Sequence, residues 1–164
     1  MRFYSVIIPV YNRPEEVNEL LASLTKQSYT NFEVLIIEDG SSQKCEAIVN
    51  QYAEQLDITY YYKENSGQGF SRNYGYERAK GDYFIVFDSD CLIPEHYFEA
   101  VEKQLSQDFL DAFGGPDKAD QSFTITQKAI NQSMTSFFTT GGIRGKKQHA
   151  GTYHPRSFNM GISR

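Results

Sequence analysis

Residues Tyr4–Ser42 read YSVIIPVYNRPEEVNELLASLTKQSYTNFEVLIIEDGSS, and this stretch decides the fold. Its first seven residues form a β-branched apolar run of the kind that fills a strand buried on both faces. Asn12 and Pro14 then mark a turn and a helix start, with Glu15 and Glu16 placed at the positive end of the helix dipole. Val17, Leu20, Leu21 and Leu24 follow at i, i+3, i+4 and i+7, one buried helical stripe. Phe32 to Ile37 is a second apolar strand, closed by Glu38-Asp39-Gly40-Ser41-Ser42.

The alternation continues outward. A second helix is expected through Cys45, Ile48, Val49, Tyr52 and Leu56, with Cys45 as a small core residue rather than a reactive thiol. A strand from Ile58 to Tyr62 precedes a glycine-containing loop, Asn65 to Gly69, and a short helix to about Ala79. The fourth strand, Tyr83 to Phe87, ends at Asp88-Ser89-Asp90, and Pro94 opens a helix with Tyr97, Val101 and Leu105 inward. Weaker signals give a strand over Ala112 to Pro116, a helix through Ile130, Met134, Phe137 and Phe138, a basic loop from Thr139 to Gly151, and a last strand from Ser157 to Ser163. Strands alternating with amphipathic helices predict a three-layer α/β/α domain around a mostly parallel sheet. Ligands of such sheets sit outside the carboxyl ends of the strands, at a switch in strand order. That rule singles out Pro9 to Asn12, Glu38 to Ser41, and Asp88 to Asp90.

Composition sets the limits. The 164 residues suit one domain able to bury roughly 68–70% of its unfolded surface. A net charge of −5 argues against nonspecific nucleic-acid binding, which depends on Lys and Arg neutralising phosphates. The 12 Tyr and 12 Phe, with no Trp, predict an aromatic core. Cys45 and Cys91 form no CxxC pair, which fits a reducing, cytoplasmic setting. The apolar run Tyr83 to Phe87 is far shorter than the ~20 residues of a membrane span.

Several motifs fail on inspection. Gly67-Gln68-Gly69-Phe70-Ser71-Arg72 begins like a dinucleotide fingerprint, but Arg72 stands where a third glycine belongs. Gly145-Lys146 is followed by Lys147 rather than Ser or Thr, against a phosphate-binding P-loop. His96, His149 and His154 lack ligand spacing. Asp88-Ser89-Asp90 fares better. Two carboxylates one residue apart at the end of an apolar strand repel, and a divalent cation such as Mg²⁺ or Mn²⁺ would relieve that cost. The pattern is common in solvated turns, so its weight comes from its position and from Asp39 on the same edge of the sheet.

Taken together, VIIPVYNRPEEVNELLASLTKQSYTNFEVLIIEDGSS and NSGQGFSRNYGYERAKGDYFIVFDSD resemble the family-two inverting glycosyltransferases of the GT-A fold, across about Phe3 to Phe98. Phe158 to Arg164 resembles, more loosely, the strand after their acceptor loop. The resemblance implies that Pro9, Val10 and Tyr11 line the base, and that Asp39 accepts from a base N–H. Arg72 would lie near base or phosphates, Asp88 and Ser89 would join the nucleotide site, and Asp88 and Asp90 would hold Mn²⁺ or Mg²⁺. Glu38 stands where Asp is commoner in that family.

The implied partners are a nucleoside-diphosphate sugar, with a UDP-sugar favoured, and a saccharide or lipid-linked acceptor. A peripheral membrane association is implied for the longer protein. The family's catalytic base follows the strand resembled by Phe158 to Arg164. Residues 1–164 are therefore expected to be a single GT-A domain truncated at its C-terminal end, without that base. Asp117 and Asp120 have no motif support for the role. Two alternatives stand: a non-catalytic nucleotide-binding or interaction module of the same fold, and a sugar nucleotidyltransferase. The latter would want a Gly-rich basic loop where Tyr11-Asn12-Arg13-Pro14 lies.

Overall fold

The computed structural model describes residues 1–115, 124–126, 129, 133 and 159–164. The expected helix residues Ile130, Met134, Phe137 and Phe138, the loop Thr139 to Gly151, and Asp117, Asp120, His149 and His154 lie outside those residues. The chain divides into two compact units, Met1–Phe113 with Ser157–Arg164, and Gly114–Arg156. The site described below belongs to the first.

Elements follow in the order β1 (Tyr4–Val10), α1 (Pro14–Leu24), β2 (Phe32–Asp39), α2 (Glu46–Asn50), β3 (Ile58–Lys63), α3 (Gln68–Tyr76), β4 (Tyr83–Phe87), α4 (Tyr97–Gln107), β5 (Ala112–Gly114) and β6 (Asn159–Ser163). The six strands form one sheet in the order β3-β2-β1-β4-β6-β5. β1, β2, β3 and β4 are parallel, and β6 runs antiparallel to β4. The mostly parallel three-layer reading is therefore correct.

Strand alternation sends residues of β1 to opposite cores. Tyr4, Val6, Ile8 and Val10 pack with the stripe of α1 and with Phe98 and Leu105 of α4, while Ile7 faces Leu35, Ile37, Val86 and Ala79 on the α3 side. Burying each large aliphatic side chain contributes about 1.5–3 kcal/mol, so the α1 stripe alone anchors that layer. The aromatic core is present: Phe32 stacks on Phe98, and Tyr4 meets Tyr29, Tyr83 and Phe98.

Several boundaries differ from the sequence reading; β2 and β3 extend to Asp39 and Lys63, and the helices differ more. The second helix spans only Glu46–Asn50, and the chain then reaches Leu56 through turns such as Gln51 N–H to the Ile48 carbonyl. Cys45 is fully buried as expected, at the start of that helix. The third helix begins earlier, at Gln68, because Gly67 takes φ 96° and lets the chain turn directly into it. Pro94 starts a turn rather than α4, which begins at Tyr97.

Candidate functional site

The order β2-β1-β4 reverses direction of growth beside β1, so the switch point lies between the carboxyl ends of β1 and β4. Pairing between these strands stops at Ile7 with Val86, whereas β1 stays paired with β2 through Val10. Pro9, which has no N–H to give, lies in the part of β1 that has left β4. The two strands part there, and the loops that follow them flank the switch point.

After β1, Pro9 and Val10 are buried and Tyr11 is 54% exposed. Asn12 takes φ 53°, the only positive φ at a non-glycine among the described residues. It is tied to the loop after β2: its N–H donates to Ser41 Oγ at 2.8 Å, and its Oδ1 accepts from Ser42 N, Ser42 Oγ and Gln43 N at 2.8, 3.1 and 3.0 Å. Arg13 crosses the switch point to Asp90, Nη1 to Oδ2 at 3.2 Å.

After β2, Glu38 and Asp39 have different tasks. Glu38 is fully buried and accepts from Ser41 Oγ, from Cys45 N–H at 2.8 Å and from Tyr60 O–H at 3.3 Å. Burial, reinforced by the neighbouring Glu38 carboxylate, pushes the Cys45 thiol well up, which agrees with an inert core residue. Asp39 accepts from Lys63 Nζ, from Ser66 N–H at 3.0 Å and from Gly67 N–H at 2.8 Å. Burial alone would raise the Asp39 carboxyl, but Lys63 and the two amides outweigh it and hold the pKa below its ordinary value. Gly40 has φ 73°, and a Cβ there would sit 2.6 Å from the Asn65 amide nitrogen, so only glycine lets this loop close on the next one.

After β4, Asp88 accepts on Oδ1 from Gln68 Nε2 at 2.7 Å and Arg72 Nη2 at 3.0 Å. The side chains of Asp88 and Asp90 are 33% and 55% exposed, and Ser89 between them is buried. The repulsion expected between the two carboxylates is met here by one arginine each. The two arginines come from different elements, Arg72 from α3 and Arg13 from the β1–α1 turn. Arg72 is largely buried, and its Nε is a buried donor without a partner among the described residues.

Asp39, Asp88 and Asp90, named from sequence, thus lie at the same end of the sheet. Asp39 and Asp88 are joined through the start of α3, which also carries Arg72, and Asp90 is held by Arg13. At the start of α3, Gly67 N–H binds Asp39 one residue before Gln68 reaches Asp88. Lys63, Gln68 and Arg13 were not expected at the site, and Asn12 and Ser41 lay in strand-end segments that the rule singled out but were given no role of their own. Lys63 sits directly opposite Asp39 in the β2–β3 register, a pairing set by the topology, one residue past the expected end of that strand at Tyr62. The reach of Arg13 to a residue 77 positions away had no local signal.

Among the described residues no three His, Cys, Asp or Glu side chains cluster as a metal site. The donor set still suits a hard cation. Mg²⁺ and Mn²⁺ are held by one or two carboxylates plus substrate phosphates, and the arginine bonds to Asp88 and Asp90 each occupy a single carboxylate oxygen.

The fold is an α/β domain of the GT-A type. The chain matches the model of glycosyl transferase family 2 over residues 5–164 and belongs to that family. It is 39% identical over 102 residues to an uncharacterized glycosyltransferase of Rickettsia typhi, covering 62% of this chain and 30% of that protein. The structure is similar to S. aureus TarS 1-349 in complex with UDP-GlcNAc, with a TM-score of 0.69 and 29% identity, over 75% of this chain and 36% of TarS. It also shares its fold with the Pyrobaculum calidifontis mannosyltransferase PcManGT in complex with GDP-Man and Mn2+, at a TM-score of 0.65 and 24% identity, over 71% of this chain and 36% of that one. The chain spans about a third of the length of each of these proteins.

Proposed function

We propose that this chain carries the donor-binding portion of an inverting glycosyltransferase, which moves a sugar from a nucleoside diphosphate to an acceptor hydroxyl. The observation that carries the reading is the strand-end constellation itself. Arg72, Asp88, Arg13 and Asp90 meet at the switch point, and the buried Arg72 Nε has no partner within the described residues. An anionic oxygen at the switch point would satisfy that donor with a charge-assisted bond.

In this reading Tyr11 offers its exposed ring to the base beside Pro9 and Val10. Asp39 accepts from a base N–H with the acceptor capacity left after Lys63, Ser66 and Gly67. Arg72 turns toward the diphosphate, and Asp88 with Ser89 faces the ribose. Asp88 and Asp90 would hold Mn²⁺ or Mg²⁺, which when bound offsets the charge growing on the departing diphosphate. The base that takes the acceptor proton is assigned to no residue of this chain. Similarity to TarS, crystallised with UDP and with UDP-GlcNAc, supports a UDP-sugar as donor. A saccharide or lipid-linked hydroxyl is the acceptor class, which places the reaction in polysaccharide biosynthesis.

No helix among the described residues is long and apolar enough to cross a membrane, and the two cysteines form no disulfide. The proposed setting is the cytoplasm, at the membrane periphery where the acceptor is lipid-linked. The internal pairing of Asp39, Asp88 and Asp90 favours a second reading, a binding module without turnover.

Calorimetric titration with UDP and with GDP, each with and without Mn²⁺, tests the proposal. Metal-dependent binding of one nucleotide, lost in Asp90→Ala, is expected. A folded protein that binds neither nucleotide under any of these conditions would overturn the donor-site reading. Transfer of sugar to an acceptor separates the enzyme from the module.

A further inference from the structure

Tyr11 projects from a turn whose shape is set elsewhere. Tyr11 is about half exposed, and the direction in which its side chain leaves the chain follows the backbone at Tyr11 and Asn12. That backbone is unusual, because Asn12 occupies the left-handed region that L-residues disfavour. Asparagine tolerates it best among non-glycine residues, and here it is held there from both sides. The Asn12 N–H donates to Ser41 Oγ, the Ser41 hydroxyl donates its own proton to Glu38, and Asn12 Oδ1 takes up the amides of Ser42 and Gln43.

Glu38 completes the chain. It is fully buried, and its second oxygen is fixed by Cys45 N–H and Tyr60 O–H. A buried carboxylate with every bond directed is a rigid anchor, since losing any partner leaves a polar group desolvated. The hydroxyl of Ser41 cannot turn away without abandoning it. The donor order is therefore one-way: Asn12 N–H to Ser41, Ser41 O–H to Glu38.

We infer that Glu38, Ser41 and Asn12 form a positioning relay that holds the Tyr11 ring in the orientation a nucleoside base stacks on. Neither Glu38 nor Ser41 touches the nucleotide. This inference rests on the donor-site reading above. It gives the buried glutamate, one residue before Asp39, a role distinct from that of its neighbour.

The test is calorimetric UDP titration, with Mn²⁺, of wild type, Ser41→Ala, Ser41→Thr, Tyr11→Ala and the Ser41→Ala/Tyr11→Ala double variant. Ordering one side chain on binding costs enough that freeing Tyr11 should weaken UDP by about 2- to 10-fold. Ser41→Thr keeps the hydroxyl and should restore most of that loss. In the Tyr11→Ala background, Ser41→Ala should weaken binding no further, because the ring it positions is gone. Asn12→Gly, which keeps the backbone conformation but loses Oδ1, is a second route if Ser41→Ala fails to fold, and should weaken UDP to a similar degree.

Two results separate the failures. Wild type that binds UDP while folded Ser41→Ala binds equally well, or loses as much with Tyr11 absent as with it present, overturns the relay alone. Wild type that binds no nucleotide overturns the donor-site reading and the relay with it.

Discussion

Replacing Lys63 with methionine keeps the aliphatic stem and removes the cation facing Asp39. The two side chains are 15% and 5% exposed, so the pair is close to fully desolvated. Removing one partner of a buried pair costs about 3–5 kcal/mol, because the other charge stays behind unpaired. Asp39 keeps its bonds from the Ser66 and Gly67 amides, which places the loss near the lower end, about 3 kcal/mol. With a urea m-value of about 2 kcal/mol/M, the denaturation midpoint falls by about 1.5 M.

The effect should depend on pH, and its sign follows from linkage. In wild type the Asp39 carboxyl is held below its ordinary 3.8, so the stability it contributes is fully present above that pH. That contribution is lost as the pH falls through the lower folded-state value. In Lys63→Met burial acts with less opposition, the folded-state pKa rises, and the mutant carboxyl takes up a proton at a higher pH than wild type. The gap between the two proteins therefore narrows as the solution is acidified toward pH 4. Urea curves followed by circular dichroism at pH 7 and pH 4.5 measure it. A midpoint shift under about 0.5 M at pH 7, or an equal shift at both pH values, would refute the reasoning.

Further outcomes follow from other contacts. Asp90→Ala removes an exposed pair with Arg13 and should change stability by at most about 1 kcal/mol in thermal or urea unfolding, so its effect on metal-dependent binding can be read cleanly. Gly75→Ala places a Cβ 2.5 Å from Ile7 Cγ2, on a strand buried on both faces, and should cost about 1–3 kcal/mol by the same assay. Cys45, fully buried beside Glu38 with its thiol pushed up, should resist a thiol reagent in the native protein and react after denaturation, as counted by mass spectrometry.

The parts of this molecule that repeat locally were legible in the sequence. β1, β2 and β4 are buried along their whole length, and the α1 stripe at i, i+3, i+4 and i+7 packs as its spacing says. Periodicity misled at Cys45 to Leu56, because successive three-residue turns keep nearly the same apolar spacing as a helix. Gly67 and Gly69 suggested a loop, yet Gly67 is the hinge from which α3 starts. The strand-end rule located Asp39, Asp88 and Asp90. It gave no partners for them, since Lys63, Gln68 and Arg13 arrive from β3, α3 and the β1–α1 turn through the topology rather than through spacing. Glu38 looked like a variant of an acidic pair. Its burial and its bonds to Ser41, Cys45 and Tyr60 depend on three segments folding together.

The central claim is that the edge between β1 and β4 receives a metal-bound nucleoside diphosphate. Amide NMR of the ¹⁵N-labelled chain, titrated with Mn²⁺ in the presence and absence of UDP, tests it residue by residue. Paramagnetic broadening centred on Ser89 and Asp90, spreading to Gln68 and Arg13 and strengthened by UDP, is the expected result. Broadening confined to other carboxylates, or unchanged by UDP, would contradict the claim.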